Sequence, residues 1–264
     1  MSKFLKDIQS LEDKRGIDIQ KVGIKNVEVP ILIQRKDEQD QIVSAQARMS
    51  VDLPAKYKGT HMSRFIKVLN NWSQKGLCGV DIRGCLEDLV STLNSTSASI
   101  QFKFKYFVEK QAPVTCQKAL MGYDCSFEGG IKDDKYKFVL GVKVPVTTLC
   151  PCSKEISQYS AHNQRALISV KVQYNENEHI WLEDLIEALE KCGSCPVYPF
   201  LKREDEKYVT EFAYNNPKFV EDVLRDTIIE LKKFKIIHHA QVEIEAMESI
   251  HNHNAWAFQE VSFE

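Results

Sequence analysis

The stretch Phe138-Val-Leu-Gly-Val-Lys-Val-Pro-Val146 alternates, placing Phe138, Leu140, Val142, Val144 and Val146 on one face. A period of two belongs to a strand whose two faces meet different surroundings. Residues 43–53 gather Val43, Ala45, Ala47, Met49, Val51 and Leu53 in the same way. Residues 100–108 gather Ile100, Phe102, Phe104, Tyr106 and Val108, and residues 168–174 gather Ile168, Val170, Val172 and Tyr174. Residues 22–33, 241–247 and the tail 255–263 also read as strands. One apolar face per strand argues for antiparallel sheets covered on one side.

Helical spacing appears between these segments. His61 to Trp72 carries Met62, Phe65, Ile66, Leu69 and Trp72, and Asp81 to Leu93 carries Ile82, Leu86, Leu89, Val90 and Leu93. Asp81 is the expected N-cap of the second. Trp181 to Leu189 predicts a short helix, and Pro217 to Phe234 a longer one with Pro217 near its first turn. An opening helix over 2–14 is also expected. In chain order, residues 20–130 give strand, strand, helix, helix, strand, strand, and residues 135–264 repeat that order. The residues themselves do not repeat, so the repeat is topological. Two ββααββ modules, 1–130 and 131–264 with a divide near Gly129-Gly130, predict an α+β fold with helices layered on one face of antiparallel sheets. Open sheet edges invite pairing between subunits, so a homo-oligomer is expected.

The chain has 264 residues, 43% of them hydrophobic, enough for one large or two small cores. A net charge of −2 supplies no basic field for nucleic acid, and an anionic substrate would need a local cluster of cations. Met1 to Arg15 does not read as a signal peptide, and no apolar run approaches the roughly 20 residues of a membrane span. A cytoplasmic protein without a membrane partner is expected, with its eight cysteines as reduced thiols.

The chemistry concentrates in Cys150-Pro-Cys152-Ser-Lys-Glu-Ile-Ser-Gln-Tyr-Ser-Ala-His162-Asn-Gln-Arg165. Thiolate and imidazole are favoured ligands of transition metals, and Cys150 and His162 are spaced to meet across a loop. The alternative is one buried cysteine and one exposed histidine. In extended backbone Cys152 would face away from Cys150, so it is expected beside a metal rather than on it. Leu201-Lys-Arg-Glu-Asp-Glu-Lys-Tyr-Val-Thr-Glu211 reads as a charged loop between helices, yet it offers carboxylates for a third ligand. Glu221 reads by periodicity as a surface carboxylate. Glu248-Ser-Ile-His251-Asn-His253 reads as a polar turn or as a pair of histidines that bind metal or phosphate or relay protons. Gly59-Thr-His61-Met-Ser-Arg64 opens a helix and could receive an anion, although Thr60 alone would serve as an N-cap. Cys192-Gly-Ser-Cys195 lacks a second ligand pair and reads as two small packing residues. Cys78, Cys85, Cys116 and Cys125 show no ligand spacing and read as structural.

Taken together, the chain resembles the prokaryotic type IB GTP cyclohydrolase I family. The resemblance rests on Gly59-Thr-His-Met-Ser-Arg-Phe65, Pro151-Cys-Ser-Lys-Glu-Ile-Ser157, Ala161-His-Asn-Gln-Arg165, Pro196-Val-Tyr198, Asp205-Glu-Lys with Val209-Thr-Glu211, Asn216-Pro-Lys-Phe-Val-Glu-Asp222 and Ser249-Ile-His-Asn-His253. It implies a tunnelling fold (T-fold) of tandem modules assembled as a homotetramer with sites at subunit interfaces. The implied reaction is metal-dependent hydrolysis of GTP to formate and 7,8-dihydroneopterin triphosphate, an entry to folate. One divalent Mn²⁺, Fe²⁺ or Zn²⁺ per site would be held by Cys150, His162 and Glu206, with Glu204 and Glu211 as neighbouring alternatives to Glu206. Glu221 would anchor the guanine edge. Cys152, Glu248, His251 and His253 match active-site positions, one histidine serving as acid and base. Lys154, Arg165, Lys202, Arg203 and Arg64 are candidates for the triphosphate, and His61 is a further substrate-binding candidate. Other T-fold pterin or deazapurine enzymes, or a nucleotide- or metal-binding protein without turnover, are the competing readings.

Overall fold

The computed structural model describes residues 7–263 apart from Gln74, Cys78 and Glu176, with backbone alone for Gly76, Leu77, Gly79 and Val80. Ten strands and six helices are formed among the described residues. The chain divides into two compact units. One holds the residues up to Phe104 together with Ser126–Val139, and the other holds Lys105–Cys125 with Leu140–Glu264. Gly129 and Gly130, the expected divide, therefore fall inside a strand of the first unit rather than between elements.

In the first unit, β1 (Ile19–Ile33) pairs antiparallel with β2 (Gln41–Leu53), which pairs with β4 (Ser97–Gln111). The short β3 (Gly76–Leu77) lies parallel to the end of β1. The alternation becomes packing through the register. Ala45 sits opposite Phe104, Ala47 opposite Phe102, Met49 opposite Ile100 and Val51 opposite Ala98. In three of these pairs an alanine faces a larger residue, so the cross-strand pairs fill the core without crowding. All eight are buried. α1 (Met62–Ser73) and α2 (Gly79–Leu93) join through the Trp72 indole N–H, which donates to Asp88 Oδ2 at 2.7 Å. α2 seats Ile82 and Leu86 against Gly129 of β5 (Lys118–Lys132). A Cβ at Gly129 would stand 2.3 Å from Ile82 Cγ2, so this position requires glycine. Asp81 lies within the first turn of α2 and is not its N-cap. Residues 7–14 form turns and a bridge from Glu12 to Tyr57 rather than the expected helix, whose first residues lie outside the described ones.

In the second unit, β6 (Lys135–Leu149), β7 (Asn163–Tyr174), β9 (Ile237–Ala246) and β10 (Ala255–Ser262) follow one another across the sheet as an antiparallel set. Buried rows cross three strands, running Val142–Val170–Val242, Val144–Ile168–Ile244 and Val146–Ala166–Ala246. The remaining elements are α3 (Pro151–Ile156), α4 (Leu182–Glu190), β8 (Cys195–Pro196), α5 (Arg203–Asn215) and α6 (Val220–Leu231). Two expectations change here. The charged run 201–211 is not a loop, because most of it forms α5. Asp205 makes that helix possible: its carboxylate accepts from the Lys202 N–H at 3.0 Å and from Val114 and Thr115 N–H at 2.8 Å each. The long helix is also shorter than expected, starting after Pro217 with the Phe219 N–H bound to Asp222 Oδ2.

Candidate active site

The site grows from the last rung of the β6–β7 ladder. That register ends with Thr148 opposite Gln164 and Leu149 opposite Asn163. One step further, Cys150 N–H donates to the His162 carbonyl at 3.1 Å, so the pairing runs on past the strands. Thiol and imidazole thus stand across the ladder from each other, where side chains on neighbouring strands are in reach. Their separation in sequence is the consequence of an antiparallel turn-back through α3. Position 150 also continues the face of Val142, Val144, Val146 and Thr148, so the apolar stripe of β6 ends in chemistry.

Cys150 caps α3 in extended backbone. Its sulfur accepts from the Ser153 N–H at 3.3 Å, and Pro151 fills a helix position that needs no donor. Because Cys152 lies inside this helix rather than in extended chain, the expected opposition of the two cysteines does not arise, and Cys152 is exposed. His162 N–H donates to Ser153 Oγ at 3.2 Å, which ties both candidate ligands to one serine.

Gln164, not singled out among the candidate residues, orients the imidazole. Its amide N–H donates to Thr148 Oγ1 at 3.0 Å, which turns Oε1 toward His162 Nδ1, also at 3.0 Å. With the amide so placed, Nδ1 is the donor to Oε1, and the Nε2 lone pair is left for a ligand. The spacing His-x-Gln in a strand is the available signal, since period two puts both side chains on one face. Glu248 Oε2 lies 3.9 Å from the same Nδ1. Its place follows from the β7–β9 ladder, which the Met247 N–H extends by donating to Arg165 O at 2.9 Å.

A cavity of about 440 Å³ adjoins the end of the β6–β7 ladder, lined by Leu149, Gln164, Arg165, Tyr198, Thr210 and Tyr214 among others, but by neither Cys150 nor His162. β6 and β7 form one wall, α5 a second, and the segment after β8 a third. β8 is fixed by the Ser194 N–H, which donates to Thr147 O at 2.8 Å, and by the Leu149 N–H, which donates to Ser194 Oγ at 3.1 Å. Gly193 permits this approach, because a Cβ there would stand 2.5 Å from Val146 Cβ. Burial pushes the Tyr198 hydroxyl up to about 12.

The other candidate residues lie at several places. Arg165 lines the cavity, while Lys202 and Arg203 are exposed at the start of α5. Lys154 is engaged: its ammonium donates to Tyr214 O at 2.6 Å and lies 4.3 Å from the Tyr214 ring, holding the C-terminal end of α5. Glu206 is exposed in the first turn of α5, and Glu221 is exposed in the first turn of α6. No hydrogen bond or ion pair joins Glu206 to Cys150 or His162 among the described residues, and no three His, Cys, Asp or Glu side chains there form a ligand cluster. His251 and His253 are exposed, their rings stacked at 5.0 Å. His61 and Arg64 belong to the first unit, His61 Nε2 lying 3.2 Å from Asp7 Oδ2 and Arg64 donating to Thr92 O at 3.3 Å. Cys192 and Cys195 are buried free thiols, which burial pushes up to about 11. Cys85 and Cys125 are buried too, whereas Cys116 is exposed in the β4–β5 turn and Cys78 lies outside the described residues.

Sulfur and imidazole donors facing each other, with the imidazole proton held on Nδ1, fit a divalent transition metal. The backbone carries a T-fold. It superimposes on uricase from Arthrobacter globiformis with a TM-score of 0.59 at 7% identity, covering 93% of this chain and 94% of that one. A uricase from Bacillus fastidious gives 0.57 at 7% identity, covering 92% and 93%. Within that fold class the sequence narrows the family. Residues 5–257 match the family described as "Type I GTP cyclohydrolase folE2". The chain is 48% identical to GTP cyclohydrolase FolE2 of Citrifermentans bemidjiense over 260 residues, covering 98% of this chain and 96% of that protein. It is 49% identical to the Thermosipho africanus protein of the same name over 253 residues, covering 96% of each. The chain belongs to the type I GTP cyclohydrolase FolE2 family.

Proposed function

We propose that this chain is a GTP cyclohydrolase I, converting GTP and water to formate and 7,8-dihydroneopterin triphosphate at an entry to folate synthesis. The observation that carries the reading is the continued β6–β7 ladder, which faces Cys150 with His162 while Gln164 holds the Nδ1 proton. Cys150 and His162 would hold one Mn²⁺, Fe²⁺ or Zn²⁺, with Glu206 as the carboxylate ligand and Glu204 or Glu211 as its alternatives. Such a metal, when bound, supplies Lewis acidity and makes hydroxide available near neutral pH.

The residues supply the rest. Glu221 accepts from the guanine N1–H and 2-amino group, a charge-assisted contact that adenine cannot match. His251 or His253 protonates the imidazole-ring nitrogen as the C8–N bond breaks. Glu248 and Cys152 border the reacting ring. Arg165, Lys202 and Arg203 hold the triphosphate, Arg64 joins them and His61 binds substrate from a neighbouring subunit, and Lys154 contributes by anchoring α5. Closing of the opened intermediate into the pterin ring follows formate release.

The assembly we propose is a homotetramer of tandem ββααββ modules, 1–130 and 131–264, with sites at subunit interfaces. Support comes from β10, the last strand in the second unit's order, which exposes the stacked pair Trp256 and Phe258. No helix among the described residues is long and apolar enough to cross a membrane. We propose a cytoplasmic location.

The test is incubation of metal-stripped protein with GTP, with and without Mn²⁺ or Zn²⁺, measuring formate and oxidised neopterin. Both products appearing only with metal is the expected result. Stable GTP with every metal would support a binding protein, and turnover of a pterin or deazapurine without formate would support another T-fold enzyme.

A further inference from the structure

The second unit contains a buried charge pair that the reaction does not use. Lys110 of β4 and Glu190 at the end of α4 meet at 2.6 Å, with side chains 9% and 11% exposed. The buried Tyr123 hydroxyl of β5 donates to the same Glu190 oxygen at 2.6 Å. Stability alone is a poor reason for such a group. A buried pair barely offsets its lost hydration, and Glu190 sits at the negative end of a helix dipole. What the network reaches is more telling. The Lys110 ammonium also donates to Val197 O at 2.6 Å and stands 4.4 Å from the Tyr198 ring centroid. Val197 and Tyr198 form the third wall of the cavity, whose lining includes Leu149 and Asn163, the chain neighbours of Cys150 and His162, and also Arg165.

We propose that Lys110, Glu190 and Tyr123 are positioning residues that fix the Val197–Tyr198 wall of the substrate cavity. Glu190 and Tyr123 aim the ammonium, and the ammonium fixes one backbone carbonyl and one aromatic face. The proposal rests on the proposed activity, and takes the cavity as part of the GTP site because Arg165, a proposed triphosphate contact, lines it. Lys110 touches no reacting atom, so its removal acts on substrate affinity rather than on bond-making.

The test replaces the pair without leaving a lone charge, as Lys110→Met with Glu190→Leu, a change that buried ion pairs commonly tolerate. Glu190→Gln, nearly the same shape, serves if the double variant does not fold. Two readouts are needed. Hydrogen exchange of the Val197 and Tyr198 amides in the metal-loaded protein without GTP reports the wall independently of turnover. Steady-state kinetics reports substrate. The expected result is faster exchange at those amides, with KM for GTP raised about 10- to 100-fold, kcat nearly unchanged, and melting temperature and metal content retained. Tyr123→Phe, which removes one of the two donors on the Glu190 oxygen, shifts exchange and KM in the same direction by less. Unchanged exchange, or unchanged KM in a folded variant, overturns the proposal. Absence of formate release from the wild-type protein would instead overturn the GTP reading while the exchange result still stands.

Discussion

In the first unit the β2–β4 ladder ends at Val51 opposite Ala98, and the next rung is Asp52. Its carboxylate accepts from Ser97 N–H at 2.6 Å, Thr96 N–H at 2.9 Å, Thr96 Oγ1 at 2.9 Å and Ser97 Oγ at 3.1 Å. In the second unit the β6–β7 ladder runs one rung past Leu149 and ends on Cys150 and His162. There the surrounding hydrogen bonds fix the backbone and Nδ1 but leave Nε2 without a partner among the described residues. Both ends carry polar groups at the limit of an apolar stripe. One is closed upon itself and acts as a staple, whereas the other keeps donor capacity in hand. Whether a strand end is structural or chemical is decided by the lone pairs that remain.

The largest effect should come from breaking the open end. Cys150→Ala is expected to lose bound metal and with it formate release, while the fold persists, because Cys150 is only half-buried. Metal analysis and circular dichroism check this, and retained metal would remove Cys150 from the ligand set. Gln164→Ala should weaken metal affinity about 10- to 100-fold without changing the melting temperature by more than a degree or two, as measured by competitive chelator titration. Glu221→Gln should raise KM for GTP about tenfold or more, a charged hydrogen bond being worth about 1.5–3 kcal/mol, with metal content intact.

The glycines give a matched pair. Gly129→Ala presses on Ile82 in the first unit, and Gly193→Ala presses on Val146 behind β8 in the second. Each should cost about 1–3 kcal/mol in chemical denaturation, but only Gly193→Ala should also raise KM. The smallest effect belongs to the staple. Burial pushes the Asp52 carboxyl up, but hydrogen bonds from Ser97 and Thr96 outweigh that and hold it below its ordinary 3.8. The stabilisation is therefore fully present above the unfolded value and is lost as pH falls below it. Asp52→Asn should lower stability near pH 7, converge with the wild-type protein in acid, and leave metal content unchanged.

Much of this fold is legible in the sequence because alternation is a local property. The faces of 43–53, 100–108, 138–146 and 168–174 become the buried rows through the register. The segment 201–211 is not legible as a helix, because its hydrophilic run lacks an apolar stripe. What stabilises its start is the long-range capture of Asp205 by Val114 and Thr115, which no local pattern announces. Within the site, Cys150 and His162 stand out by residue type, and their alignment follows from the ladder. Gln164 does not stand out, because its role depends on a tautomer set by Thr148 on the neighbouring strand. The engagement of Lys154 with Tyr214 is equally hidden, being a tertiary contact between two helices.

The most direct test of the account is X-ray absorption at the metal edge of the zinc-loaded protein. The account predicts one sulfur scatterer at about 2.3 Å together with imidazole nitrogen, with the sulfur shell lost in Cys150→Ser and the imidazole pattern lost in His162→Ala. A spectrum of oxygen and nitrogen alone, unchanged by either substitution, would contradict it.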